Sequence, residues 1–364
     1  PRYDNRGRYK SKSDIEKSIT NGKPVVVRFK VPDSGTVEFL DEIRGKITFK
    51  TEEIDDFIIL KSDGMPTYHL AHIVDDDDMK ITHVFRGEEW ISSTPKHILI
   101  HNALKINPPK YIHVPLILGK DKSKLSKRHG AKSVLEYKKE GYLPSAVFNY
   151  LILLGWSPGN DQEILSKSEI LEKFSIKKIS DSSAVFDSEK LDWMNGIHIR
   201  NLSTEDLSKN IIYFLEKPYK DGGLEDHITR PIDSTKIMNI VPFIQERLKT
   251  LKDAKEMVDF FFLEDDEIQI DQNDLLSKNI DKKSISELLM KSLKVIEEIE
   301  NFKSEQLENK FRELAKIINQ KPGKLFTPIR ISITGKKIAP PLFETLEVLG
   351  RETSIYRIKK AIEY

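Results

Sequence analysis

Residues 111–133 read YIHVPLILGKDKSKLSKRHGAKS, and the reading of this stretch decides the fold. An apolar, β-branched run over 111–118 is followed by Gly119 and a loop carrying Lys120, Lys122, Lys124, Lys127 and Arg128. The pattern predicts a buried strand that feeds cations onto a loop. Such a loop suits polyphosphate. Lys124 and Lys127, separated by Leu125 and Ser126, put two ammonium groups on neighbouring parts of one turn, where they can track charge as a bond to phosphorus breaks. By spacing alone, a Lys-rich loop is more often simply solvated.

Upstream of the loop, residues 65–133 alternate helix and strand: a helix over 66–74, a strand over 81–85, a helix over 94–104 and a strand over 111–118. This alternation predicts parallel βαβ packing, with ligands beyond the carboxyl ends of the strands. Pro66 and Pro95 suit a first helical turn, and Thr94 suits an N-cap. Residues 1–63 read as a small strand-rich unit bounded by Gly, Pro and Asp turns. Downstream, 134–201 reads as helices, including YLPSAVFNYLILLGW stopped by Gly155 and a further helix over 188–194. From 202 onward the apolar spacing is helical throughout, with a polar, acidic break at 264–274 between two helical subdomains. The predicted fold class is an α/β nucleotide-binding, Rossmann-like half-domain followed by mostly α-helical domains in a multidomain chain.

The chain has 59 Lys and Arg against 58 Asp and Glu, so its net charge of +1 identifies no partner. Distribution is more informative: about seven excess cations lie in 105–140, about six excess anions in 261–300 and about six excess cations in 301–364. With no cysteine, disulfides and thiolate metal sites are excluded. No apolar run reaches the roughly twenty residues of a membrane span and no signal peptide is visible, so the expectation is a soluble, cytoplasmic protein without a membrane partner. The sequence has no dinucleotide G-x-G-x-x-G, no P-loop and no nucleophile elbow.

KLSKRHGA, residues 124–131, resembles the lysine signature of class I aminoacyl-tRNA synthetases in its glutamyl variant. SDGMPTYHLAHIVDDDDMKITHVFRGEEW, residues 62–90, is similar to the glutamyl-tRNA synthetase segment that precedes that signature. The likeness continues through Trp193, Met194, Asn195 and Gly196 to the C-terminus. It implies a glutamate–tRNA ligase of bacterial or organellar type, since the C-terminal half is helical. The implied domains are 1–63, the remainder of an acceptor-stem-binding insertion; 64–133, the second half of the catalytic domain; 134–203, a helical stem-contact domain; and 204–270 and 271–364, two anticodon-binding subdomains. The chain opens at Pro1, inside what resembles the middle of a longer protein, and the half carrying a His-x-Gly-His signature is not in it. A C-terminal fragment, inactive alone, is therefore expected. The competing reading is a non-catalytic tRNA-binding module derived from a synthetase.

The resemblance also distributes roles. Lys124 and Lys127 are implied as catalytic, and Glu89, Trp90, Leu125, Ser126, Lys127 and Arg128 as ATP contacts. Glutamate contacts fall on Tyr68, His72 and Arg86, although the family commonly has Asn at His72. Tyr68 and His72 share a helical face, and a planar guanidinium such as Arg86 can grip a carboxylate with two bonds, which distinguishes an acid from its amide. Arg247, in QERLKTLKD (245–253), is implied to read the anticodon from a basic helical face, with Lys324 and Arg330 as phosphate contacts. Magnesium should accompany ATP. No zinc is expected, because PRYDNRGRY has Gly7 and Tyr9 where many members carry a final Cys-x-His. The run Asp75 to Asp78 beside His69 and His72 reads as a solvated turn rather than a metal site. The implied partners are tRNA(Glu), L-glutamate and ATP, bound by a monomer.

Overall fold

The computed structural model describes residues 3–126, 132–275 and 282–363. Among them are eight strands: β1 Val27–Arg28, β2 Thr36–Asp41, β3 Gly45–Lys50, β4 Ile58–Leu60, β5 His83–Gly87, β6 Lys110–Val114, β7 Ile117–Leu118 and β8 Ala184–Val185. The chain divides into two compact units, one of residues 1–131 and 149–187, the other of 132–148 and 188–364.

The first unit is organised by a four-stranded sheet in the order β3-β2-β6-β5. β5 and β6 run parallel, as the alternation predicts, and β2 adds to β6 in parallel while forming an antiparallel hairpin with β3. Residues 36–50 therefore belong to the same sheet as 83–114, so this sheet crosses the boundary expected at 63. Alternate β2 residues Val37 and Phe39 are buried with Ile73, Ile98, Ile100 and Tyr111 in one core. The helix Thr94–Leu104 buries residues on nearly every face, including His97 and His101, as befits a helix enclosed by packing.

Three local readings need correction. The helix expected over 66–74 spans Tyr68–Asp78 rather than opening at Pro66, because Thr67 is held extended: its N–H donates to Ile59 O at 2.8 Å and its hydroxyl to Ile58 O at 2.8 Å. The run 111–118 is two strands. Pro115 has no N–H for a ladder, and β7 leaves β6 to pair in parallel with β8. Thr94 is the first helical residue and Ser93 the cap, which makes no side-chain cap bond. The Thr94 hydroxyl is used elsewhere.

The second unit is helical. One core gathers Leu207, Ile211, Ile237, Val241, Val258 and Phe260; a second gathers Leu289, Ile296, Phe311, Ile329 and Ile358. Its helices include Ser188–Arg200, which continues past the expected end at 194, and Thr204–Leu215, Lys282–Glu298 and Ser304–Ile317 in the stretch that reads as helical from 202 onward. Among the described residues, no helix is long and apolar enough to cross a membrane.

Candidate active site

Arg86 lies at the carboxyl end of β5, where its register partner on β6 is His113. Partners in register on parallel strands share a sheet face, so the two side chains stand side by side. Arg86 Nε donates to His113 Nε2 at 3.0 Å, Nη2 donates to the Thr94 hydroxyl at 2.7 Å, and Nη1 lies 3.3 Å from His97 Nδ1. His113 Nδ1 in turn is 2.7 Å from Asp41 Oδ2. Burial raises the Asp41 carboxyl, but the bonds from His113 and from the Arg44 and Ile43 amides outweigh it and hold it below the ordinary range. Burial lowers His113 against the opposing pull of Asp41, so the pair is a carboxylate and a neutral imidazole.

Tyr68, His72 and Trp90 close around the same arginine. The Tyr68 and His72 rings stack with centroids 4.7 Å apart, Tyr68 meets Trp90 at 5.1 Å, and His72 meets His97 edge-on at 4.4 Å. The Arg86 guanidinium lies 5.0 Å from the centre of the Tyr111 ring. His97 Nε2 is 3.0 Å from His69 Nδ1. Since Nδ1 faces the Arg86 donors, Nε2 carries the proton and donates to His69. Burial first, then His72 and Arg86, push His97 down to about 2. Burial likewise lowers Arg86. Tyr68, His72, Arg86 and Trp90 are thus brought together; Thr94, read from the sequence only as an N-cap, joins them, as do His97, His113 and Asp41, which the sequence had not singled out. A histidine inside the otherwise apolar run at 111–118 could have pointed to His113, whereas the buried polar face of a largely apolar helix carried no comparable signal for His97.

The lysine loop leaves β7 through a tight turn. Gly119 N donates to Ser123 O and Leu125 N to Ile117 O, both at 2.9 Å, with Lys122 in the left-handed region at φ 62°. Lys124 Nζ reaches Glu89 Oε1 at 3.1 Å, so the first lysine and an expected ATP contact are neighbours. This contact lowers the Glu89 carboxyl together with a bond from its own backbone, the larger cause. Leu125 and Ser126 are half-buried at the end of the turn. Lys127 and Arg128 lie outside the described residues. Glu88, by contrast, is structural: it accepts from Arg44 Nη2 at 2.6 Å and from Leu116 N at 3.2 Å.

In the helical unit, Arg247 ends a short 3-10 turn, Gln245–Arg247, and the next helix is Asp253–Val258. The basic helical face expected over 245–253 is not formed: Leu248 is extended, and Asp253 draws in the Lys249 and Thr250 amides at 3.0 and 2.8 Å. Arg247 Nη1 donates to Ala339 O at 2.9 Å. Its charge, after burial, lowers Arg330, whose buried Nε has no partner among the described residues. Two close cations with an open donor form an electropositive spot.

Residues 1–193 match the family described as tRNA synthetases class I (E and Q), catalytic domain, and residues 213–362 match an anticodon binding domain. A glutamate–tRNA ligase of Dehalococcoides mccartyi is 46% identical over 340 residues, 93% of this chain and 68% of that protein. This chain belongs to the glutamate–tRNA ligase family. A relative from Borrelia duttonii is 41% identical over all of this chain and 71% of its own length. The crystal structure of a glutamate tRNA ligase from Elizabethkingia meningosepticum in complex with its amino acid superposes with a TM-score of 0.85 at 31% identity, covering 100% of this chain and 74% of that one. Family membership carries ATP-dependent aminoacyl-tRNA ligation, the class I catalytic fold and a helical anticodon domain, as the resemblance implied. It supports the ligase reading and not a non-catalytic binding module.

Proposed function

We propose that this chain supplies the glutamate- and phosphate-handling part of a glutamate–tRNA ligase. The glutamate α-carboxylate attacks the α-phosphorus of ATP and pyrophosphate leaves, giving glutamyl-adenylate; a ribose hydroxyl of the terminal adenosine of tRNA(Glu) then takes the glutamyl group and AMP leaves. In-line positioning and charge stabilisation supply the catalysis. The observation that supports this most is Arg86, a half-buried cation walled by Tyr68, His72 and Trp90 with no carboxylate in ion-pair reach among the described residues. A carboxylate of glutamate completes it with two parallel bonds. Glu89 and Trp90 receive the nucleoside of ATP, Lys124 with Leu125, Ser126, Lys127 and Arg128 its phosphates, and Arg247 the anticodon. Magnesium enters with the phosphates of ATP. Among the described residues no group of three acidic, His or Cys side chains is placed to hold a metal. The protein acts in the cytoplasm as a monomer, which sedimentation of the full-length protein checks.

The test is glutamate-dependent ATP–pyrophosphate exchange by the full-length protein. Arg86→Lys keeps a charge but loses the planar fork, so KM for glutamate should rise at least about tenfold while KM for ATP stays within about twofold. A structural Arg86 predicts the reverse: a lower melting temperature with glutamate affinity unchanged.

A further inference from the structure

Arg86 is held by neutral acceptors. Its Nε–H bonds His113, its Nη2 the Thr94 hydroxyl, and both Nη atoms face His97. The anion behind it is Asp41, one imidazole removed. Asp41 ends β2 and is fully buried; its Oδ1 accepts from the Ile43 and Arg44 amides at 3.0 and 2.9 Å, and its Oδ2 from the His113 amide at 3.0 Å. The remaining contact of Oδ2 is His113 Nδ1. An ionised carboxylate only accepts, so the imidazole proton sits on Nδ1 and Nε2 is left as an acceptor, facing the Arg86 Nε–H with the Thr94 hydroxyl 3.1 Å away. Two results follow from this order of groups. The guanidinium plane is aimed by an acceptor that cannot rotate, and its charge is not neutralised by a direct carboxylate pair, so it stays available to an incoming one.

The geometry points to Asp41 and His113 as positioning residues for glutamate binding: Asp41 selects the His113 tautomer, and that tautomer aims Arg86 at the substrate carboxylate. The inference rests on Arg86 as the carboxylate holder. Neither residue touches substrate; both act through the arginine.

Asp41→Asn tests the tautomer with little change of shape. With its amide nitrogen in the place of Oδ2, the asparagine loses the bond from the His113 amide and donates to His113 Nδ1, which moves the ring proton to Nε2 and sets it against the Arg86 Nε–H. In the full-length protein, ATP–pyrophosphate exchange should show KM for glutamate raised at least about tenfold with KM for ATP within about twofold. The 15N spectrum of the His113 ring should show the protonated nitrogen exchanged. His113→Leu, which removes the acceptor, should match this loss. His113→Gln offers a carbonyl to Arg86 and should return KM for glutamate to within about threefold of the unaltered protein. Should Asp41→Asn not fold, the contrast between Leu and Gln at His113 decides. If these variants shift only the melting temperature, or raise both KM values equally, while Arg86→Lys selectively raises that for glutamate, the positioning role is wrong and the Arg86 reading stands. If Arg86→Lys leaves KM for glutamate unchanged, the Arg86 reading itself fails.

Discussion

At the residue scale burial lowers His69, His97 and His113 beside the Arg86 cation. His97 has an ordinary value near 6.5 and is pushed down to about 2, with burial the first cause. The unfolded chain therefore binds a proton below about pH 6.5 that the folded chain refuses. A depressed folded value contributes stability that is complete above the unfolded value and is lost as pH falls toward the folded one. Between about pH 7.5 and 5.5 the loss from this one histidine is about 1.4 kcal/mol. His97→Gln, which does not titrate, should lose less stability across that interval by a similar amount, read by urea denaturation at both ends. Equal acid sensitivity of the two proteins would show that His97 protonates freely in the fold.

At the element scale the Trp193 to Gly196 signature is explained by one amide. Asn195 is fully buried on the helix Ser188–Arg200; its Oδ1 accepts from Leu143 N at 2.8 Å and its Nδ2 donates to Lys249 O. It ties the segment entering the helix Pro144–Leu153 to the turn that follows Arg247. Asn195→Ala leaves an amide and a carbonyl unpaired, which costs about 2–4 kcal/mol. Asn195→Asp keeps the acceptor and loses the donor, so it should not be the milder change if Lys249 O is the dominant partner. Urea midpoints for the two variants give the order directly, and a loss under about 0.5 kcal/mol for Asn195→Ala would mean water replaces both bonds.

At the scale of the whole molecule, residues 213–362, which match the anticodon binding domain, lie in one compact unit, and most of the match to the catalytic domain lies in the other, so under the proposed function a change in one should spare the other. Arg247 sits with Arg330 in the helical unit, and the tRNAs for glutamate and glutamine differ in the third anticodon base, C against G. A C presents N3 and O2 acceptors to a cation, while G presents N1 and N2 donors. Arg247→Gln, which can turn a donor or an acceptor outward, should narrow the preference for tRNA(Glu) over tRNA(Gln) by about tenfold and leave exchange unaltered. Charging of both tRNAs by the full-length variant checks this, and an equal loss with both would reduce Arg247 to a phosphate contact.

Local chemistry was legible in the chain itself. The alternation of periods over 65–133, the cations after Gly119, the arginine at a strand's carboxyl end and the helical spacing beyond 202 are properties of neighbouring residues, and most of their elements form within a few positions of the expected bounds. What only the tertiary structure decided depends on pairing between distant residues. Arg86 meets His113, 27 residues away, because β5 and β6 pair in one register, and His113 meets Asp41, 72 residues away, because β2 joins that sheet. A shift of one residue in either pairing would turn these side chains to opposite faces. The same holds for the turn at Arg247, where a carboxylate reaching back from Asp253 overrides a spacing that reads as helix. Register is set by burial across the whole sheet, and no window of sequence contains it.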